Sequence, residues 1–157
     1  MCGIAGIFDS GCGDAALARA VVQAMSDALA HRGPDSSGVW TDASAGIALG
    51  HRRLAILDLS DEGRQPMTSA SGRYVVTYNG EIYNYRELRA ELISAPGPPP
   101  FRGSSDTEVM LAAIDQWGVE ESVRRFNGMF AFALWDRRER LLHLVRDRLG
   151  EKPLYYA

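Results

Sequence analysis

Two apolar runs near the end of the chain, Met129 to Trp135 and Leu141 to Val145, flank the charged stretch Asp136 to Arg140. Short runs of this kind, joined by a few polar residues, read as an antiparallel β-hairpin. A two-stranded hairpin is not stable by itself in water, so these residues commit the chain to a larger sheet with something packed on it. Other strand candidates are on hand. Tyr74-Val75-Val76-Thr77-Tyr78 is rich in β-branched and aromatic residues, Gly38 to Trp40 and Gly46 to His51 are joined by the polar turn Thr41 to Ser44, and Ile4, Ile7 and Phe8 form a short apolar start. Ile56 to Leu59 is one more short apolar run.

Helical periodicity lies between these runs. Leu17, Ala20, Val21, Ala24, Met25, Ala28 and Leu29 recur at three and four, with Asp14 placed to cap the helix and an end expected near Ala30. Tyr85, Leu88 and Leu92 mark a second helix. Ser105-Asp106-Thr107-Glu108 matches a capping box opening a third, with Val109, Ala112, Ala113 and Trp117 on one face and Gly118 at its end. Glu120 to Phe126 is a short charged helix, and Asn127-Gly128 turns the chain back. Ser60 to Ser71 reads as a surface loop, Pro96 to Pro100 as a stiff exposed connection, and Arg146 to Pro153 as a polar turn before the strand-like Leu154 to Ala157. Neither repeats nor a shift in composition divide the 157 residues, which are enough for one domain with a core.

Composition excludes several classes of function. The net charge is −3 without a long basic run, which argues against a nucleic-acid surface. No apolar run reaches the ~18 residues of a membrane span, and the start lacks the regions of a signal peptide. Cys2 and Cys12 are the two cysteines, too few for a disulfide framework and without the histidines of a zinc site. A reducing, cytoplasmic setting is expected.

The chemistry gathers at the start. Methionine followed by the small Cys2 is a substrate for methionine removal, which would leave a thiol and a free α-amine on one residue. Both groups titrate near neutrality, and the amine can serve the thiol as base. Read alone, Cys2 is better taken as a chance residue before an ordinary first strand. Asn79-Gly80 after the Tyr74 to Tyr78 run reads either as a hairpin turn or, with a helix following, as a strand-to-helix turn. In the second case it offers an amide side chain and a bare N–H, the two donors of an oxyanion hole. The arginines 52 and 53 are a solvated strand end or, for one of them, a carboxylate fork. Asp106 is a helix-start acid unless a ligand needs it.

Five ordered motifs resolve these alternatives by resemblance. The start Met-Cys-Gly-Ile-Ala-Gly-Ile-Phe, His31-Arg32-Gly33-Pro34-Asp35, Gly50-His51-Arg52-Arg53-Leu54, Tyr78-Asn79-Gly80-Glu81-Ile82-Tyr83-Asn84 and Ser105-Asp106-Thr107-Glu108 resemble the class II glutamine amidotransferases, which are N-terminal nucleophile hydrolases. Arg146-Asp147, Gly150 and Lys152-Pro153-Leu154-Tyr155-Tyr156 point to the glutamine-hydrolysing asparagine synthetase branch.

The resemblance implies an α+β fold, a four-layer α-β-β-α sandwich of two antiparallel sheets, with which the strands and helices above agree. It implies Cys2 as nucleophile and Asn79 with the Gly80 N–H as oxyanion donors. For glutamine it implies Arg53 on the α-carboxylate, helped by backbone at Leu54, Ala55, Ile56 and Leu57, and Asp106 on the α-ammonium with Glu81 nearby. The segment Arg32 to Asp35 resembles a loop that closes over bound glutamine. No metal or organic cofactor is expected for this half-reaction; ATP and Mg²⁺ are expected with a synthetase domain, in cis or in trans, that nothing here resembles. The chain is expected to be a fragment or truncated product that ends short of the family's last strands, with an open sheet edge and possible homo-oligomers. Two other readings remain at this point: an amidotransferase serving a different acceptor, such as a sugar or polysaccharide, and a non-catalytic glutamine-binding remnant.

Overall fold

The computed structural model describes residues 1–9, 14–55 and 61–157. Cys12 and the apolar run Ile56 to Leu59 lie outside the described residues. The elements in chain order are β1 (Gly3–Phe8), α1 (Ala15–Ala28), β2 (Ser36–Asp42), β3 (Ile47–Arg53), a 3₁₀ turn at Asp61–Gly63, β4 (Met67–Thr68), β5 (Tyr74–Ile82), α2 (Tyr85–Ser94), α3 (Asp106–Trp117), α4 (Val119–Arg125), β6 (Gly128–Asp136) and β7 (Leu141–Arg146). They form two antiparallel sheets, ordered β1-β3-β2 and β4-β5-β6-β7.

Strand alternation sorts the side chains into layers. In β3, Ala48 packs with Ala18 and Val22 of α1, while Ile47 and Leu49 turn to the other sheet and meet Val75, Ala133 and Trp135. In β5 and β6, Val76, Tyr78, Ile82, Phe130, Phe132 and Leu134 face α2 and α3, where Leu88, Leu92, Met110 and Ile114 complete the largest core. The order of layers is α1, first sheet, second sheet, then α2 and α3. This is the expected four-layer α-β-β-α sandwich. Gly50 lets α1 lie close on the first sheet, since a Cβ there would strike the Ser26 hydroxyl.

Local expectations hold in most places. Asp14 caps α1 by accepting the Ala16 and Leu17 N–H groups at 2.9 and 3.1 Å. Ser105 caps α3 by accepting from Glu108 N at 3.2 Å. The Glu108 carboxylate binds the Arg102 and Gly103 N–H groups at 2.7 and 3.0 Å and so clamps the loop that returns from the proline run. Three local readings need correction. Asn79-Gly80 is not a turn, because β5 continues through it to Ile82 in register with β6. Gly80 is demanded by that pairing: a Cβ would run into the Met129 carbonyl and the Phe130 backbone. Ser60 to Ser71 is not wholly a surface loop, since Gln65 and Ser69 are buried in it. Leu154 to Ala157 forms no strand.

Between the sheets lies His51. Its Nε2 donates to the Tyr78 carbonyl at 3.0 Å, and its Nδ1 has no partner among the described residues. Burial lowers its pKa to about 4; the bond to Tyr78 resists this, and the charge on Arg53 adds to it. The unfolded chain therefore takes up a proton on this ring before the folded one does. Stability should fall as pH drops from about 6.5 towards 4, by up to roughly 3 kcal/mol from this group. Urea unfolding at pH 7 and pH 4.5 should reveal the loss, and the dependence should flatten in His51→Gln.

Candidate functional site

A cavity of about 130 Å³ opens where β1, the end of β3, the middle of β5 and the start of α3 converge, and Cys2, Arg53, Leu54, Asn79, Gly80, Glu81 and Asp106 all line it. Three further features of the wall, Gly63, Gln65 and Lys152, were not singled out from the sequence.

Cys2 stands just before β1, with Leu54 N–H donating to its Sγ at 3.4 Å and the thiol aimed at Leu54 O at 3.8 Å. The His31 to Asp35 segment is tied to the same backbone. Arg32 Nε donates to Cys2 O at 3.2 Å, and Asp35 accepts from Ala55 N at 2.8 Å while its own N–H donates to Arg53 O at 3.0 Å. Gly33 is required there, because a Cβ would overlap the Arg52 carbonyl. Ala55 does not line the cavity and its N–H is engaged by Asp35; Ile56 and Leu57, also expected at the site, lie outside the described residues.

The edge of β5 carries most of the site's logic. Asn79 and Glu81 point their N–H groups at β6, so those of Tyr78, Gly80 and Ile82 point the other way. On that side β4 covers only Val75 and Val76. Tyr78 N–H instead donates to Gln65 Oε1 at 2.7 Å and Ile82 N–H to Asp106 Oδ2 at 3.0 Å. Gly80 N–H lies between these two on the cavity edge. The Asn79 side chain, 5% exposed, also lines the cavity and makes no hydrogen bond among the described residues.

Arg53 approaches the cavity from the end of β3 and Asp106 from the start of α3. Arg53 ends β3 as a buried residue, and its guanidinium rests on Gly63, where a Cβ would collide with Nη2. Asp106 opens α3 at 5% exposure. Burial raises its pKa, opposed by the Ile82 N–H and by Tyr78 OH, which donates to Oδ2 at 2.8 Å. Tyr78 is itself pushed well above its ordinary value, first by burial and then by the Asp106 carboxylate, so it stays protonated as a donor. Gln65 Nε2 reaches Thr107 Oγ1 at 3.4 Å, linking the β5 edge to the α3 start.

A thiol, an amide side chain, a strand N–H without a partner among the described residues and a separated pair of opposite charges thus share one small cavity. The chain matches the glutamine amidotransferase domain family over residues 1–157. It belongs to that family. Asparagine synthetase [glutamine-hydrolyzing] 3 of Bacillus subtilis (strain 168) is 44% identical to it over 159 residues, covering 100% of this chain and 25% of the relative. A putative asparagine synthetase [glutamine-hydrolyzing] of Mycobacterium tuberculosis (strain ATCC 25618 / H37Rv) is 42% identical, with 100% of this chain and 25% of the relative covered. Amidase chry2 of Gibberella zeae is 38% identical over 92% of this chain and 21% of the relative. The chain spans about a quarter of the length of the curated relatives it matches most fully. Among the described residues of this amidotransferase domain, no helix is long and apolar enough to cross a membrane.

The turn after β7, read from the sequence as polar and as a mark of the family branch, is what delivers Lys152 to the cavity. Asp147 gathers N–H groups there: Phe130 at 3.1 Å and Lys152 at 3.0 Å on Oδ2, Leu149 at 3.1 Å and Glu151 at 2.9 Å on Oδ1. Burial would raise its pKa, but these backbone donors prevail and hold it below the usual value. Asp147→Ala should strand several donors at once and destabilise the domain by about 2–3 kcal/mol or more. Urea unfolding would measure that loss, and hydrogen exchange should show the Phe130 and Lys152 amides opening faster.

Proposed function

We propose that this chain is the glutaminase part of a glutamine-dependent asparagine synthetase, hydrolysing L-glutamine to glutamate and ammonia. The observation that carries the reading is the pairing of Cys2 Sγ with an unfilled strand edge at Gly80, in a cavity walled by Arg53 and Asp106. Free glutamine has a carboxylate and an ammonium at one end and an amide at the other. Arg53 suits the carboxylate as a guanidinium fork, with Leu54 beside it on the cavity wall, and Asp106, which shares that wall with Glu81, suits the ammonium. That leaves the amide for Cys2.

In this reading Met1 is removed, and the new α-amine of Cys2 takes the thiol proton as the sulfur attacks the amide carbon. Charge then builds on the amide oxygen, where the Asn79 side chain and the Gly80 N–H would receive it. The amine returns the proton to the departing nitrogen, which leaves as ammonia, and water hydrolyses the γ-glutamyl thioester to glutamate. Protein groups suffice for these steps. ATP and Mg²⁺ belong to the activation of aspartate by a synthetase domain, in cis or in trans, and no step here runs through them.

The names of the relatives support asparagine synthetase as the setting for the released ammonia. Intact-mass measurement of active protein should show Met1 absent, and Cys2→Ala should abolish glutamine hydrolysis with the fold retained. Asn79→Ala should lower kcat by roughly 10²-fold or more, about 3 kcal/mol in barrier. Full activity with Met1 retained would sink the self-base mechanism.

Recognition should separate from chemistry in steady-state kinetics. Arg53→Ala and Asp106→Ala should each cost about 1.5–3 kcal/mol in kcat/KM for glutamine through a lost charge-assisted bond. Gly63→Ala should mimic Arg53→Ala in part, because the added Cβ forces the guanidinium aside; a misplacement of this kind costs up to roughly 100-fold. Unchanged kinetics in all three variants would return Arg53 and Asp106 to structural roles.

A further inference from the structure

Lys152 is a buried cation with a poor partner. It is 7% exposed and lines the cavity with Cys2 and Asn79. Its ammonium donates to Met1 Sδ at 3.5 Å, and among the described residues it makes no ion pair with a carboxylate. A thioether is a weak acceptor, and a buried ammonium left with one is costly. The position is nevertheless firmly built: Lys152 N–H is held by Asp147, and its carbonyl accepts from Arg146 Nε at 2.7 Å.

The contact with Met1 also locates the ammonium. It lies one methionine side chain and a 3.5 Å contact away from the Cys2 nitrogen at most, the atom that becomes an α-amine once Met1 is gone. The same removal takes away the thioether and leaves the two nitrogen groups facing one vacated space. Other charges around the terminus are committed differently. Arg32 holds Cys2 O, and Arg52, across from Gly3, pairs with Asp27 at 3.6 Å. Arg53, Glu81, Asp106 and the protonated Tyr78 line the cavity, with Asp106 engaged by Tyr78 and Ile82. Asp147 is occupied by backbone N–H groups, and Glu151 is exposed.

We propose that Lys152 is a positioning residue for the reaction, its ammonium keeping the Cys2 α-amine unprotonated at neutral pH so that the amine can accept the thiol proton. The proposal rests on the glutaminase reading above. One proton passes from sulfur to the α-amine and then to the departing nitrogen, and Lys152 takes no part in that transfer. Like charges at such range disfavour each other's protonated forms, and a shift of about one pH unit is the expected scale.

The test uses Met1-processed protein, verified by intact mass. In Lys152→Met the acidic limb of the kcat/KM profile should move up by about one pH unit, with activity reduced severalfold at pH 7 and recovered near pH 9. Lys152→Arg should keep the original limb, and Lys152→Gln should shift it as Met does. A second readout needs no turnover. The Cys2→Ala chain is processed in the same way, and the pH midpoint for acetylation of its α-amine by acetic anhydride, followed by mass, should rise when Lys152→Met or Lys152→Gln is added. Identical midpoints with and without Lys152 overturn the proposal even if glutamine is hydrolysed. A shifted midpoint in a protein that never hydrolyses glutamine upholds the coupling and overturns the functional reading instead.

Discussion

The pairing of β5 with β6 supports everything else in the molecule. These are its two longest strands, matched from Tyr74 opposite Asp136 to Ile82 opposite Gly128. One face of the pair supplies the core beneath α2 and α3, and the other supplies Val75, Ala133 and Trp135 to the core between the sheets. Loss of register by one residue would exchange these faces and bury the wrong side chains in both cores. Close backbone approach enforces the register at one end, since Gly80 and Gly128 leave no room for a Cβ against the opposite strand.

The candidate site follows from what the second edge of β5 lacks. A central strand normally fills both rows of N–H and C=O groups, but β4 is two residues long and stops early. Backbone groups in that gap must find other partners, because a buried unpaired N–H is costly. Gln65 supplies one and Asp106 another, which leaves Gly80 N–H between them for a ligand. The gap thus serves as a binding site, with side chains holding its ends at fixed spacing. The same bonds fix Asp106, so the acid that could bind an ammonium is oriented by the strand it borders.

Charge is distributed with similar economy. Arg53 comes from the first sheet and Asp106 from the helix that covers the second, and the two do not pair directly among the described contacts. His51, one layer further in, stays neutral next to Arg53 because burial leaves no room for a second cation. At the terminus, Lys152 faces Met1 with a thioether as its partner, an arrangement that makes sense only with the chemistry of the start of the chain. Arg53, Asp106 and Lys152 thus all border the same cavity.

Much of this was legible in the residues. Local signals were enough for the helices, the Asp14 and Ser105 caps and the final hairpin, because capping and short-range periodicity act within a few residues of one another. The motifs around Cys2, Arg53, Asn79 and Asp106 named the site's main groups. Asn79-Gly80 favours a turn locally, but pairing with Ala131 and Phe130, remote along the chain, overrides that preference, and only this pairing reveals why glycine is needed. Gln65 and Gly63 carried no signal of a site, and the motif containing Lys152 pointed to a family branch rather than to a place in the cavity. Their roles depend on which distant atoms they meet: Tyr78 N–H, the Arg53 guanidinium and Met1. Sequence determined which groups were present and which short segments would form, whereas the tertiary structure alone decided which strand edge stayed open and which charges gathered around it, because those contacts join residues that are remote along the chain.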